Sequence, residues 1–118
     1  MNKHVQTLKE GTDFEKKHVP MIECKDEVAV NELYEVKVHS AGVDHPMDDG
    51  HFIQYIELRI GDLTVYRGSM TQYVKPELTV TLKAPSEGHE GLTMTLKAFM
   101  FCNLHGLWTY EKEIAIKK

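Results

Sequence analysis

Apolar and polar residues alternate along most of this chain with the two-residue period of β-strands. Runs of this kind occupy residues 32–39, 51–60, 63–66, 77–82, 92–96 and 113–116. Turn-forming residues separate several of the runs, for example Gly61-Asp62 and the segment 85–88. No stretch keeps a helical period. About seven short strands in a chain of this size predict an all-β fold, an immunoglobulin-like antiparallel β-sandwich.

The length of the chain limits it to one such domain. A chain of 118 residues buries roughly two-thirds of its unfolded surface and holds a single hydrophobic core. The first fourteen residues are polar and lie outside the alternating runs. We therefore expect residues 1–14 to form an N-terminal arm or a short peripheral helix, and residues 15–118 to form the sandwich domain.

Net charge and cysteine content limit the kinds of partner and the cell compartment that we expect for the protein. The net charge of −4 argues against general binding of nucleic acid, which requires a basic face. No apolar run is long enough for a signal peptide core or a membrane span, so we expect no membrane partner. Two cysteines, Cys24 and Cys102, are too few for a disulfide scaffold. A cytoplasmic location is the simplest expectation.

Three short stretches concentrate side chains that bind metals. Residues 17–20, 44–51 and 101–108 together contain one cysteine and four histidines: His18, His45, His51, Cys102 and His105. Five ligands are too many for a tetrahedral zinc site. One thiolate and four imidazoles suit five-coordinate iron with a sixth position open to a small oxidant. The set therefore predicts a redox site acting on a small oxygen species.

The strand pattern places all five ligands on connections between strands. Loops at one end of a rigid sandwich can bring distant residues together without disturbing the core. Pro20 and Pro46 stiffen two of these connections, because a proline biases the preceding residue, here Val19 and His45, toward an extended conformation. The sequence thus predicts one metal centre at one end of the sandwich.

The same three stretches resemble the signatures of a known family. Residues 15–20, 45–51 and 102–108 are similar, in order and residue type, to the three motifs of superoxide reductases, the neelaredoxin or desulfoferrodoxin iron domain. This resemblance implies a one-iron enzyme that reduces superoxide to hydrogen peroxide and releases no dioxygen. It also implies rubredoxin or a similar small iron protein as electron donor, and a homodimer or homotetramer.

The resemblance assigns roles to residues beside the ligands. Lys17 matches the lysine of the family and is expected to attract the superoxide anion toward the metal. The glutamate of the family, a sixth ligand in the oxidised resting state, aligns with Lys16, so we expect that position to be open or held by solvent. Glu15 is a candidate sixth ligand only if the segment shifts by one residue. The backbone amides of Leu104 and His105 are expected to donate hydrogen bonds to the Cys102 sulfur.

The remaining histidines, the second cysteine and the tryptophan are expected to have ordinary structural roles. The histidines outside the signatures, namely His4, His39 and His89, are expected to be ordinary surface side chains. Cys24 is expected to be a half-buried thiol at the end of a strand, and Trp108 to pack in the core or an interface.

Alternative function classes use fewer of the five ligands. A blue-copper electron carrier requires a weak axial ligand soon after its cysteine and histidine, and no methionine follows Cys102. A structural zinc module leaves the fourth histidine without a role, and an adhesive immunoglobulin-like domain leaves all five unexplained. The remaining alternative is a non-catalytic metal-binding or electron-transfer sandwich.

Overall fold

A computed structural model describes residues 5–42 and 44–118 of the protein. Over these residues the chain forms nine β-strands and one short helix. Their bounds are β1 Val5–Gln6, α1 Asp13–His18, β2 Pro20–Glu23, β3 Glu27–Ala29, β4 Leu33–Ser40, β5 Ile53–Ile60, β6 Leu63–Ser69, β7 Glu77–Lys83, β8 Thr93–Cys102 and β9 Gly106–Lys117.

The strands form two sheets of unequal size. The larger sheet has the order β1-β9-β8-β5-β6, with β3 also paired to β9, and the smaller sheet has the order β2-β4-β7. The long neighbouring pairs are antiparallel, whereas the short strands β1 and β3 pair with β9 in parallel. The all-β prediction is confirmed. The strands that the sequence pattern missed, β1, β2 and β3, have two to four residues, too few to show an alternation.

The core lies between the sheets and leads directly to the candidate ligands. Along β8 every second residue is buried, from Met94 through Leu96, Ala98 and Met100 to Cys102, which is fully buried. Because side chains on a strand alternate between its two faces, the register that builds the core also turns the Cys102 thiol inward at the end of the strand. The core pattern therefore sets the direction of one ligand.

Helix α1 carries the first candidate ligand, in a segment where the sequence shows no helical period. It begins in a capping box, in which the Thr12 side chain accepts from the Glu15 backbone amide and the Glu15 side chain accepts from the Thr12 amide. It ends at His18 because Val19, which precedes Pro20, takes an extended conformation with φ −74° and ψ 123°. The helix has only six residues, a length that shows no clear period in a sequence.

Helix α1 and strand β8 bear on two expectations from the sequence. His18 lies at the end of a helix and Cys102 at the end of a strand, so the prediction that every ligand lies on a connection is wrong for these two residues. The helix also runs across residues 14 and 15, where the sequence placed the limit between arm and domain; that division remains a prediction.

In the described part of the chain, no helix has the length and apolar character needed to cross a membrane.

Candidate metal centre

His18 reaches the site from the end of α1. Its side chain is 2% exposed, and its Nδ1 lies 2.7 Å from the carbonyl oxygen of Phe14, one helical turn earlier. A carbonyl oxygen only accepts hydrogen bonds, so Nδ1 carries the proton and Nε2 is left with a free lone pair. The helix end therefore presents His18 as a neutral donor through Nε2.

His45 and His51 come from the connection between β4 and β5. His45 is 2% exposed, and its Nδ1 lies 2.7 Å from the Pro46 carbonyl oxygen, which leaves its Nε2 as the free donor atom by the same reasoning. His51 pairs with Asp48 through two backbone hydrogen bonds that close a tight turn. Its Nε2 is buried and has no hydrogen-bond partner within the described residues.

Cys102 and His105 lie on the hairpin between β8 and β9. Cys102 is paired with Gly106, so residues 103–105 form a three-residue connection. Gly106 has φ 84°, the left-handed conformation that closes hairpins of this length and that favours glycine. The turn brings His105 Nδ1 to 3.7 Å from Cys102 Sγ. A cysteine followed three residues later by a histidine thus gives two neighbouring donors on one turn.

The five side chains converge on one point. Their donor atoms all lie within 4.8 Å of one another. The four imidazole rings form a closed cycle in the order His18, His45, His51 and His105, and each neighbouring pair is T-shaped, with centroids 4.6–5.0 Å apart. The structure therefore brings together all five ligands predicted from the sequence.

The separations between donor atoms match those around a single metal ion. The Nε2 atom of His18 lies 3.2 Å from His45 Nε2 and 3.2 Å from His105 Nδ1. Four nitrogens in a square at about 2.1 Å from a metal are separated by about 3.0 Å when neighbouring and about 4.2 Å when opposite. The two 3.2 Å separations and the 4.8 Å limit on all donor atoms agree with such a square, and the thiolate would add a fifth ligand.

The hydrogen-bonding pattern indicates that a cation belongs among these atoms. His18 and His45 both use their only proton on backbone carbonyls, so their Nε2 atoms face each other with lone pairs and without a proton between them. His51 Nε2 is a further buried nitrogen, without a hydrogen-bond partner among the described residues. Facing lone pairs and an unpartnered buried nitrogen are both costly, and one shared metal ion would satisfy all three atoms.

Burial keeps two of these imidazoles neutral. Burial lowers the pKa of His45 to about 4, and the other cluster histidines add to that effect. Burial also lowers the pKa of His18, with further contributions from His105, His51 and the Lys17 charge, while the hydrogen bond to Phe14 opposes the shift. Neutral imidazole is the form that binds metals. Both rings are therefore ready to bind a metal at neutral pH.

The donor set fits iron better than zinc. Structural zinc sites use four ligands in a tetrahedron, whereas five donors converge here, four of them in a ring. Imidazole and thiolate both suit iron. The cluster fits an iron centre with four histidine ligands and one cysteine ligand, one ion per chain.

Two aromatic residues that the sequence did not predict for the site enclose part of the centre. Trp108 is 2% exposed and stacks on the His18 ring, with centroids 4.8 Å apart. Its Nε1 donates to the carbonyl oxygen of His105. The Phe14 ring contacts both His18 and His105, at 4.7 and 5.0 Å, and is 47% exposed. The spacing of Phe14 and His18, four residues apart on a short helix, was the signal available in the sequence.

The residues predicted to surround the ligands occupy distinct places. Lys17 is half-buried on α1 next to His18. The Lys16 side chain lies against Gly42, within 3.2–3.7 Å of the place that a Cβ there would occupy. One carboxylate oxygen of Glu15 accepts hydrogen bonds from the amides of residues 10, 11 and 12 at 2.8–3.2 Å. Desolvation raises the pKa of Glu15, but these bonds outweigh it and hold the pKa below its ordinary value.

The sulfur of Cys102 accepts a hydrogen bond from the turn that follows it. The His105 amide donates to Sγ at 3.4 Å. In the described residues Leu104 makes no such bond, and its side chain is 61% exposed. The structure therefore contains one of the two expected amide contacts.

His39, His89 and the second cysteine lie away from the cluster. His39 pairs with the Glu23 carboxylate at 2.9 Å, and His89 lies on an exposed turn, where its Nδ1 contacts the Ser86 carbonyl. His4 lies outside the described residues. Cys24 follows the end of β2 and is half-buried, as predicted.

Comparison with known proteins decides the family. The desulfoferrodoxin family model matches residues 10–111, most of the chain and all five converging ligands. The chain belongs to the desulfoferrodoxin family. It is 55% identical over 113 residues to the "putative superoxide reductase" of Methanocaldococcus jannaschii, covering 96% of this chain and 95% of that one. It is 30% identical over 132 residues to the superoxide reductase of Pyrococcus furiosus, covering 95% and 98%.

The fold of the family is also the fold of this chain. The solved structure of the superoxide reductase (neelaredoxin) from Ignicoccus hospitalis superposes with a TM-score of 0.77 at 31% identity, covering 92% of this chain and 89% of that one. The predicted immunoglobulin-like sandwich is consistent with this match. The resemblance seen in the three short motifs thus extends over nearly the whole length of this desulfoferrodoxin chain.

Proposed function

We propose that this protein is a superoxide reductase. The observation that carries the proposal is the convergence of four imidazoles and one thiolate within 4.8 Å, in a member of the desulfoferrodoxin family. One electron and two protons convert each superoxide into hydrogen peroxide, so no dioxygen is produced. Iron held by His18, His45, His51, His105 and Cys102 would supply the electron when it is bound.

The protein contributes the electronic surroundings of the metal. Cys102 is buried and provides the only anionic ligand of the five, so it is the strongest electron donor of the set. The His105 amide donates into the same sulfur and moderates that donation. Trp108 stacks on one ligand and holds the backbone of another, which keeps this side of the centre dry and rigid.

Lys17 is proposed to guide the substrate. Superoxide is an anion and the protein carries a net charge of −4, so a local positive charge is needed to concentrate it near the metal. Lys17 lies next to a ligand and its charge is felt at His18. Lys16 is held against Gly42. We therefore assign the guiding role to Lys17, and we propose that it also orients a water that donates a proton.

The sixth position of the iron is proposed to be open or filled by solvent in the oxidised protein. Lys16 occupies the place aligned with the glutamate of the family. The nearest carboxylate in sequence, that of Glu15, accepts three backbone hydrogen bonds at the start of α1. Turning it toward the metal would break the capping box, which disfavours Glu15 as a ligand.

Metal content, colour and product test the proposed activity together. Protein expressed with iron and purified anaerobically is expected to hold about one iron per chain and to turn blue on oxidation, through thiolate-to-iron charge transfer. Cys102→Ser should abolish the colour. The reduced protein should convert superoxide to peroxide without releasing oxygen. Stoichiometric zinc without iron, or oxygen evolution equal to half of the superoxide consumed, would exclude the proposal.

The electron donor is proposed to be rubredoxin or a similar small iron protein. The support in this chain is the half-exposed ring of Phe14, which contacts two ligands and offers a short path from the surface to the metal. Stopped-flow mixing of the oxidised protein with reduced rubredoxin should reduce the iron and bleach the blue absorption band. The bleaching should be complete within the time that the protein needs for a few turnovers of superoxide. No bleaching at a large excess of rubredoxin would exclude this donor.

A homodimer or homotetramer is proposed for the assembly. The outer face of the larger sheet carries an ordered group of aromatic and arginine side chains, types that are enriched at the centres of interfaces. Arg67 lies 3.8 Å over Tyr55, Arg59 lies 4.4 Å over Phe99, and Tyr55 stacks on Phe101. Light scattering after size exclusion should give the mass of two or four chains, and the mass of one chain would refute the assembly.

The cytoplasm is proposed as the compartment. The proposal rests on Cys24, which is an unpaired, half-buried thiol and suits a reducing environment. Cell fractionation followed by detection of the protein tests it, and recovery outside the cytoplasmic fraction would contradict it.

A further inference from the structure

The four ligand histidines are not held in the same way. His18 and His45 each donate from the ring nitrogen that faces away from the cluster to a backbone carbonyl, at 2.7 Å, and this bond fixes the ring. Among the described residues, no such bond is made by the ring of His51, and its Nε2 is buried without a partner. Apart from its ring contacts with His45 and His105, its orientation therefore comes from the backbone that carries it.

One side chain holds that backbone on both sides of the histidine. The Asn103 carboxamide oxygen accepts from the Phe52 amide at 2.9 Å, and the carboxamide nitrogen donates to the Gly50 carbonyl at 3.0 Å. The Asn103 backbone amide also donates to the Phe52 carbonyl, at 3.2 Å. Residues 50 and 52 flank His51 directly, so these bonds define the position of its Cα.

The same asparagine lies inside the turn that carries two other ligands. Asn103 follows Cys102 directly and precedes His105 by two residues. The bonds to residues 50 and 52 span more than fifty positions of sequence and connect the turn after β8 to the connection before β5. Three of the five ligands are thereby tied into one hydrogen-bonded unit.

We propose that Asn103 is a positioning residue that sets the distance and orientation of His51 relative to Cys102 and His105. This inference rests on the proposed iron site and adds to it a residue that touches neither the metal nor the substrate. An amide is required because the two flanking contacts need one acceptor and one donor on the same planar group. A carboxylate supplies only the acceptor, and an alanine supplies neither.

The test compares Asn103→Ala and Asn103→Asp with the wild type and with Gln72→Ala. Gln72 is a matched control because its amide also bonds to the same connection, at the Asp49 carboxylate, but at an exposed site one residue before Gly50. Each protein is loaded anaerobically with ferrous iron. The readouts are the rate of iron release to a ferrous chelator, the energy of the charge-transfer band after oxidation, and the reduction potential.

Asn103→Ala is expected to release iron on the order of ten to a hundredfold faster than the wild type, the range typical for residues that orient metal ligands. Its charge-transfer band and potential should shift, because the His51 ring no longer holds one orientation. Asn103→Asp, which keeps the Phe52 contact, should fall between the two, and Gln72→Ala should match the wild type. The aspartate variant preserves the size of the side chain, so it also serves if the alanine variant does not fold.

Two results would overturn the inference. In the first, both Asn103 variants have the same rate of iron release, charge-transfer band and reduction potential as the wild type. The second is an equal acceleration in Gln72→Ala, which would reveal general loosening of the connection. Failure of the wild type itself to bind iron would count against the proposed function and is recognised before any variant is compared.

Discussion

Acidification of the metal-free protein offers a direct test of how the centre is prepared for its metal. His45 is 2% exposed, and burial lowers its pKa from 6.5 to about 4. In the unfolded chain the same histidine regains an ordinary pKa and takes up a proton at higher pH. The unfolded state therefore binds more protons between these two values, and the free energy of unfolding falls as the pH drops below about 6.5.

The size of the effect follows from the two pKa values. At pH 5 a shift from 6.5 to about 4 destabilises the folded state by about 2 kcal/mol relative to pH 8, and the full loss below pH 4 approaches ~3 kcal/mol. The pKa of His18 is lowered as well and adds to the loss in the same direction. Such a loss is a large part of the stability of a small domain.

The assay is denaturant unfolding of the metal-free protein at pH 8 and pH 5. His45→Gln removes the titrating group, so its loss of stability over this range should be smaller than that of the wild type by about 2 kcal/mol. His39→Gln, at the partly exposed pair with Glu23, controls for the removal of a histidine. An equal pH dependence in the wild type and His45→Gln would refute the reasoning that burial keeps His45 neutral.

Three further predictions concern α1. Lys17→Ala should retain its iron but slow the bimolecular reaction with superoxide by roughly tenfold or more, and the rate should depend less on salt concentration. Lys16→Ala should have a smaller effect on both. Equal small effects of the two variants would mean that no single lysine guides the substrate. Glu15→Ala should leave the pH dependence of the ferric band as in the wild type, with Asp13→Ala as control, whereas a large spectral change would show that Glu15 is a ligand. Thr12→Ala should lower the free energy of unfolding by about 1 kcal/mol in denaturant titrations, and no change would mean that the cap does not stabilise the helix.

Several features of the fold and of the candidate site can be predicted from the sequence, because they depend on residue types and on residues close together in the chain. The alternation of apolar residues predicts the long strands, since burial on one face of a sheet requires a two-residue period. Pro20 ends the helix that carries His18, and Gly106 closes the hairpin after Cys102, both through backbone restrictions of single residues. The types and spacing of the five ligands predict the iron, because few metals suit that set.

Other features depend on contacts that no sequence pattern records. The capping box that makes residues 13–18 helical is present in the sequence, but a six-residue helix shows no period and depends on its tertiary setting. The approach of Phe14 and Trp108 to the ligands depends on where α1 packs against the start of β9. The four-residue spacing of Phe14 and His18 indicates one of these contacts, but no local pattern indicates that Trp108 stacks on His18.

The arrangement of the metal centre is the clearest example of a feature that depends on tertiary contacts. Residue type and spacing alone were enough to predict the five candidate ligands, because the ability to bind a metal is a property of each side chain. Two features emerge only in the folded chain: the closed ring of imidazoles, and the bonds by which Asn103 ties residues 50 and 52 to the turn after β8. These Asn103 bonds join segments about fifty residues apart, and they form only once β5 and β8 have paired in the larger sheet and set their ends side by side.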